Sequence, residues 1–432
     1  MKKSFLIIFL LLTGVLSAQP SQWSEQVSGV TTTLTSVYTV NTTNAWVCGY
    51  SGTVLKTSNG GVNWVNVSGN GIPATVSLIC ISGYQTSTTD AIVTGYLGTD
   101  TWVWRTTNGG SNWTQVFSQP GGFINAVSMY SATNGFMMGD PVGARWSLWK
   151  TTNGGANWDS TGLYLPQTGS DAGWNNSMIY SPPNIWFGTN NTRIYYSTNN
   201  GANFTVIATP GEVNSYAIWN NTPVSGLGLF GGANIYQTTN YGTNWTYLPA
   251  LGAGNFGGIT STPLIITDNL LFQLIWYVRT TNTIYTSTNF GVNWTADYVN
   301  PVTTVQYRHL SKAYPGRGIW AVGTLGKISY HMPLTDVKKI STEVPSAFIL
   351  HQNYPNPFNP ATKIRYEIAK TSDVRLSVFD ILGKEITVLA NEKHEPGTYE
   401  VTFDGSKLSG GVYFCKLESG SFTGIKKLLM VK

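Results

Sequence analysis

Charge is scarce in this chain. Asp, Glu, Lys and Arg make up 10% of its 432 residues, against about 25% in ordinary domains. Residues 19–333 hold ten Lys/Arg and nine Asp/Glu, with no basic stripe or cluster, so nucleic-acid binding is excluded. Ala, Glu, Lys, Leu and Arg do not dominate, which removes long-helix and coiled-coil readings. Only three cysteines occur, Cys48, Cys80 and Cys415, and no two form a CxxC pair. They read as free or buried thiols, with a Cys48–Cys80 disulfide as the alternative in an oxidising compartment. The four histidines, His309, His331, His351 and His394, are scattered, so no metal site and no cofactor is expected. No Ser-His-Asp context or phosphate loop is present. Beyond the first 18 residues no apolar run approaches the ~20 residues of a membrane span.

Aromatics reach 13%, with 47 Gly and 16 Trp. Thr, Asn, Gly, Val, Trp and Tyr together are strand-and-turn chemistry. Residues 1–18 read as a secretory signal peptide: Lys2-Lys3, then the apolar Phe5 to Leu16, then Ser17-Ala18 before Gln19. All sixteen Trp lie between Trp23 and Trp320, and Lys and Glu become common after residue 334. The segment 334–346 is polar and reads as a linker. It divides a region 19–333 from a tail 347–432.

The first region repeats. KTSNGGVNW (56–64), RTTNGGSNW (105–113), KTTNGGANW (150–158), YSTNNGANF (196–204), QTTNYGTNW (237–245) and TSTNFGVNW (286–294) share [ST]-x-N-x-G-x-N-[WF], with aromatics 49, 45, 46, 41 and 49 residues apart. A period in the forties with strand chemistry denotes propeller blades of about four strands. A seventh unit, GIWAVGTLGKISY (318–330), lacks its hairpin and outer strand. QWSEQVSG (22–29) resembles NWVNVSG (63–69), and Trp23 precedes Trp64 by one period of 41 residues. An all-β, seven-bladed β-propeller is therefore expected, closed by residues 22–28 beside 327–332.

These hairpins resemble the Asp-box of sialidase-like propellers, with Asn at all six Asp positions. The fuller run AWVCGYSGTVLKTSNGGVNW is similar to the photosystem II assembly and stability factor type of propeller. Members of such families include binding proteins, sialidases and xyloglucanase-type hydrolases. The box sits away from their active sites and carries no chemistry here.

The tail alternates apolar residues between turns and reads as a small Ig-like β-sandwich. It resembles the type A sorting domain of the type IX secretion system. The motifs are Asn353-Tyr354-Pro355-Asn356-Pro357-Phe358-Asn359-Pro360, Asp380-Ile381-Leu382-Gly383, Ser409-Gly410-Gly411 and the basic Lys426-Lys427. The resemblance implies a Bacteroidetes-type source and export by the type IX machinery as partner. It also implies removal of the tail, then release or attachment at the outer-membrane surface.

Parity puts the boxes on one face of the ring, and the strand 2–3 loops and blade-to-blade loops on the other. The longest loops there are 95–102, 139–146 and 161–175. Long loops on a rigid ring are the expected binding site. They supply Tyr96, Trp102, Asp140, Arg145, Trp146 and Trp174 as ligand contacts, with Arg193, Glu212, Tyr277 and Arg279 as further candidates. Trp102 and Trp146 have interblade packing as their alternative role, Asp140 a turn, and Arg145 an ion pair. Aromatics beside carboxylates suit a glycan, and a protein ligand is the other reading. Catalysis needs paired acids, and only Asp100, Asp140 and Asp171 are available, since Glu25 and Glu212 are the only glutamates in the ring. A non-catalytic secreted or surface binding protein is expected, with a sialidase-like or xyloglucanase-like glycosidase as the alternative.

Overall fold

The computed structural model describes residues 23–431 apart from 42, 85–86, 210, 221–227, 241, 249–258, 266–271, 280, 288–290, 313–317, 332–337, 384 and 406–407. The leader at 1–18 lies outside the described residues. Between Trp23 and His331 the described residues form seven antiparallel sheets, six of four strands and one of three. Their innermost strands are Leu34–Thr39, Ser77–Tyr84, Ile124–Met129, Gly173–Ser181, Ala217–Asn220, Ile259–Ile265 and Tyr307–Lys312. Each lies beside the next, and Tyr307–Lys312 lies beside Leu34–Thr39, so the ring returns on itself. The strand Ala45–Gly49 (AWVCG) is buried at every position, whereas the outer Val65–Asn66 is exposed. A strand covered on both faces by neighbouring blades needs a continuous apolar run, and an outer strand does not.

The repeated box is a hydrogen-bonded turn. Thr57 Oγ1 donates to Asn59 Oδ1 (3.0 Å) and accepts from the Gly61 N–H (2.9 Å), while Asn59 Oδ1 accepts from the Asn63 N–H (3.0 Å). The same three bonds recur at Thr106, Thr151, Ser197 and Thr238. An amide oxygen accepts these donors as a carboxylate would, with no charge to desolvate. The second glycine has positive φ, +80° at Gly155, and a Cβ there would meet Ile92 of the preceding blade. Glycine is thus required both for the turn and for blade-to-blade contact.

Ring closure occurs where the sequence places it. Trp23–Gln26 pairs with Ile328–His331, in register from Trp23↔His331 to Gln26↔Ile328. Trp23 Nε1 donates to Asp297 Oδ2 (2.8 Å), and Glu25 Oε1 accepts from Tyr298 Oη (2.7 Å) and Asn300 Nδ2 (3.1 Å). The closing strand therefore binds the sixth blade as well as completing the seventh.

The three-stranded sheet, Ile124–Met129, Gly135–Val142 and Arg145–Thr151, corrects one expectation. The long loop 161–175 is not a free binding loop along its length. Bridges Lys150↔Asp159 and Arg145↔Pro166 lay it along the open edge of this blade. Leu163 and Leu165 are buried in the core between the third and fourth blades. Those two leucines are what fix the loop.

The tail folds as two four-stranded sheets around one core that includes Leu350, Phe358, Ile364, Tyr366, Leu376, Val401, Phe403, Cys415 and Leu428. Every buried member of that core comes from residues 350–430. Part of the segment read as a linker is structured: Lys338–Ser341 is a strand paired with Gly397–Asp404. All three cysteines are free and buried, so the Cys48–Cys80 disulfide is absent. Among the described residues no helix is long and apolar enough to cross a membrane.

Candidate functional site

The innermost strands carry bulges at one level. Register shifts fall between Leu34 and Ser36, Leu78 and Cys80, Ile124 and Ala126, Gly173 and Met178, and Tyr307 and His309. All five lie near the strand starts, on the face opposite the boxes. Bulges re-aim side chains and gather at barrel rims and sites. Here they rim the mouth of the ring.

The fourth-blade bulge is the longest. Asn176 within it has φ +61° and reaches the first blade across the ring. Its Oδ1 accepts from Ser36 Oγ (3.0 Å), and its Nδ2 donates to the Thr35 carbonyl (3.4 Å). Ser36 Oγ also accepts from the Ile81 N–H (3.3 Å), and His309 Nδ1 accepts from the Val37 N–H (3.2 Å). Asn175 and Arg308 sit in bulges and are exposed, and Arg308 Nη2 donates to Gln306 Oε1 (3.2 Å). The sequence offered one signal for these positions, the break in apolar alternation at Thr35-Ser36.

The acids expected as chemistry are engaged elsewhere. Asp171 is buried and accepts from Asn191 Nδ2 (2.8 Å), Arg193 Nη1 (3.2 Å) and Tyr195 Oη (2.7 Å), so it and Arg193 form a structural ion pair. Asp100 Oδ1 accepts from the Gly121 N–H (3.1 Å) and caps a loop. Glu212 is buried and accepts from the Asn234 N–H (3.0 Å) of the next hairpin. Asp140 Oδ1 accepts from the Gly173 N–H (2.7 Å), joining the third blade to the fourth. Burial raises the Asp140 pKa above its ordinary value, against the lowering effect of Gly173 and Asn125.

The aromatics expected as platforms are largely covered. Trp146 is a core residue at 1% exposure, packed on Phe187 (4.9 Å) and Tyr195 (5.4 Å), so its assignment as a ligand contact is overturned. Trp102 stacks on Trp104 (6.4 Å), Trp174 packs on Tyr216 (4.3 Å) and Tyr96 on Phe123 (5.1 Å), all half-buried. Arg145 Nη2 donates to Ser160 Oγ (3.4 Å) rather than pairing with a carboxylate. The side chains of Tyr277 and Arg279 lie outside the described residues. Among the described residues no three His, Cys, Asp or Glu side chains gather as metal ligands.

The sorting motifs converge on one end of the sandwich. The pairs Ala361↔Asp404, Phe379↔Phe414 and Gly411↔Met430 put the loop 353–360, the turn 380–383 and residues 408–411 together. The motif side chains mostly staple this end. Asn353 Nδ2 donates to the Pro355 carbonyl (3.0 Å) and to Thr362 Oγ1 (2.9 Å). Asn356 Oδ1 accepts from the Leu429 N–H (2.8 Å), its Nδ2 donates to the Lys427 carbonyl (3.1 Å), and Phe358 is buried. Gly383 has φ +77°, which lets the turn close on Asp380, whose Oδ1 accepts from the Leu382 N–H (2.8 Å). Left outward are Ile381 and Leu382, at 69% and 87% exposure.

Comparison with known proteins gives the following. Residues 352–432 match the family described as "Secretion system C-terminal sorting domain". No curated protein matches the chain. Among solved structures, "YCF48 bound to D1 peptide" is similar over 73% of this chain and 99% of its own, at 15% identity and TM-score 0.56. "YCF48 from Cyanidioschyzon merolae" is similar over 72% of this chain and 99% of its own, at 16% identity and TM-score 0.54. The Niastella koreensis GH74 enzyme covers 95% of this chain and 75% of its own, at 13% identity and TM-score 0.50. At such identities the neighbours establish the fold alone. The chain is an all-β propeller protein that ends in a type IX secretion sorting domain, and that domain places it outside the cell or on its surface.

Proposed function

We propose that the propeller is a non-catalytic binding protein that takes a polypeptide partner at the bulged mouth of the ring. One observation carries this reading. The four carboxylates best placed for chemistry, Asp100, Asp140, Asp171 and Glu212, are each committed to hydrogen bonds that hold loops and blades together. The bulged rim leaves Asn175 and Arg308 exposed as hydrogen-bonding groups. Of the rings expected as sugar platforms, Trp146 is buried, and Trp102 and Trp174 are half-buried against other rings. One similar fold is described as bound to a peptide, which accords with this reading. Export would begin with removal of residues 1–18 and end with removal of the tail.

The test is a peptide library and a glycan array probed with the mature chain. Peptide binding weakened about tenfold by Arg308→Ala or Asn175→Ala is the expected outcome. Glycan binding indifferent to both substitutions would sink the proposal. A glycosidase is the second reading, favoured by Asp140, because a half-buried acid of raised pKa is what a general acid requires. Turnover of a β-glucan or sialoside that disappears in Asp140→Asn, with the fold intact, would decide for it.

A further inference from the structure

We infer that the functional sorting unit begins at Lys338, and that the sandwich contains a built seat for the strand Lys338–Ser341. The sorting-family match starts at residue 352, so this strand lies outside it. The reading of 334–346 as a linker starts the tail at 347, which leaves the strand out as well.

The seat is on the edge of Gly397–Asp404. Register pairs run Lys338↔Glu400, Lys339↔Tyr399 and Ser341↔Thr398. Lys339 Nζ lies 5.8 Å over the Tyr399 ring, within reach of a cation–π contact. Gly397 is buried, with φ +153°. A Cβ on Gly397 would fall 2.6 Å from the Ser341 carbonyl oxygen and would also collide with Lys339 Cε. Both obstructing residues belong to the docked strand. The glycine in the Pro396-Gly397 turn therefore serves this strand as well as the turn.

Removing the strand changes the sandwich in a specific way. Gly397–Asp404 has two neighbours in its sheet, Lys338–Ser341 and Ala361–Ile368. Without the first it becomes an edge eight residues long. Long unpaired edges pair with other chains. A strand of four residues is held in place only because the chain tethers it nearby, which sets a high effective concentration. Lys338–Ser341 thus completes the sorting sheet and masks its edge for as long as the chain is intact on its C-terminal side. The following stretch, 342–347, is mostly exposed, so a cut within it would unmask the edge, whereas a cut before Lys338 would leave the unit whole.

The full-length chain tests this with residues 338–341 replaced by Gly-Ser-Gly-Ser, with Gly397→Ala, and with both. Hydrogen exchange of the amides in 397–404 and export from a type IX-competent host are the readouts. Replacement should cost these amides about tenfold in protection, leave the propeller amides unchanged, and reduce export. Gly397→Ala should lower protection more in the intact chain than in the replaced chain, because the obstruction is gone in the latter. Unchanged protection after replacement, undiminished export of the replaced chain, or an equal effect of Gly397→Ala in both backgrounds would each overturn the inference.

Discussion

Gln26 should be the single most consequential polar side chain in the ring seam. Its Oε1 accepts from Trp64 Nε1 of the first blade (3.0 Å) and Trp320 Nε1 of the seventh (3.0 Å). Its Nε2 donates to the Gly60 carbonyl (2.8 Å). One amide thus uses both oxygen lone pairs and a donor to join the closing strand to two blades. Gln26→Leu keeps the volume and removes all three bonds. Trp320 is fully buried, so its indole N–H would lose its partner without reaching water. That costs about 1–3 kcal/mol, and the two less buried bonds add about 0.5–1.5 kcal/mol each, for a total of about 2–6 kcal/mol. Gln26→Glu keeps an acceptor for both indoles but turns a carboxylate oxygen onto the Gly60 carbonyl, so repulsion and charge burial add to the lost donor. All sixteen Trp lie in the propeller, so tryptophan fluorescence during urea unfolding reports the ring without the tail. A Gln26→Leu loss below about 0.5 kcal/mol would refute the reasoning.

Two further outcomes follow from the site descriptions. Burial raises the Asp140 pKa above its ordinary 3.8, so the carboxyl favours folding while protonated and loses that contribution as pH rises through the raised value. Asp140→Asn keeps the acceptor for Gly173 without the charge, so its melting temperature should match or exceed the parent at pH 7 and the gap should close near pH 3; a variant less stable at pH 7 would show that the ionised form is favoured. Ile381→Ser with Leu382→Ser should leave the melting temperature of the tail unchanged, because both side chains are exposed, while stopping export if the machinery reads the end where the motifs converge; normal export of the double variant would move recognition elsewhere.

The repeat made most of the ring legible. Each box is a local device whose Thr/Ser, Asn and Gly close bonds within seven residues, as from Thr57 to Asn63, so its spacing survives in the sequence whatever the blades contact. Trp23 was legible for the same reason, lying one period before Trp64. The edge role of 161–175 was not legible. It depends on Leu163 and Leu165 finding a gap between two blades, which is a property of the assembled ring. Lys338–Ser341 was hidden by composition: a short polar edge strand resembles a linker until its partner strand is known.

The candidate site was less legible, for a reason that applies to propellers with few acids. Loops between blades present backbone N–H groups that no sheet partner satisfies, and buried donors need an acceptor. In a ring with nine Asp/Glu, carboxylates are strong acceptors for them. Asp100 at Gly121, Asp140 at Gly173 and Glu212 at Asn234 are three instances of one solution. A loop acid beside aromatics therefore has the same sequence signature whether it awaits a sugar or holds a loop. What separates the cases is whether its lone pairs are already used. Asn176 shows the converse. In sequence it is one of many loop asparagines, yet the bulge between Gly173 and Met178 carries it across the ring to Thr35 and Ser36. The mouth is thus defined by backbone irregularity rather than by residue type, and restoring regular pairing there by deleting the three surplus residues 174–176 should disturb binding more than neutralising the nearby acids.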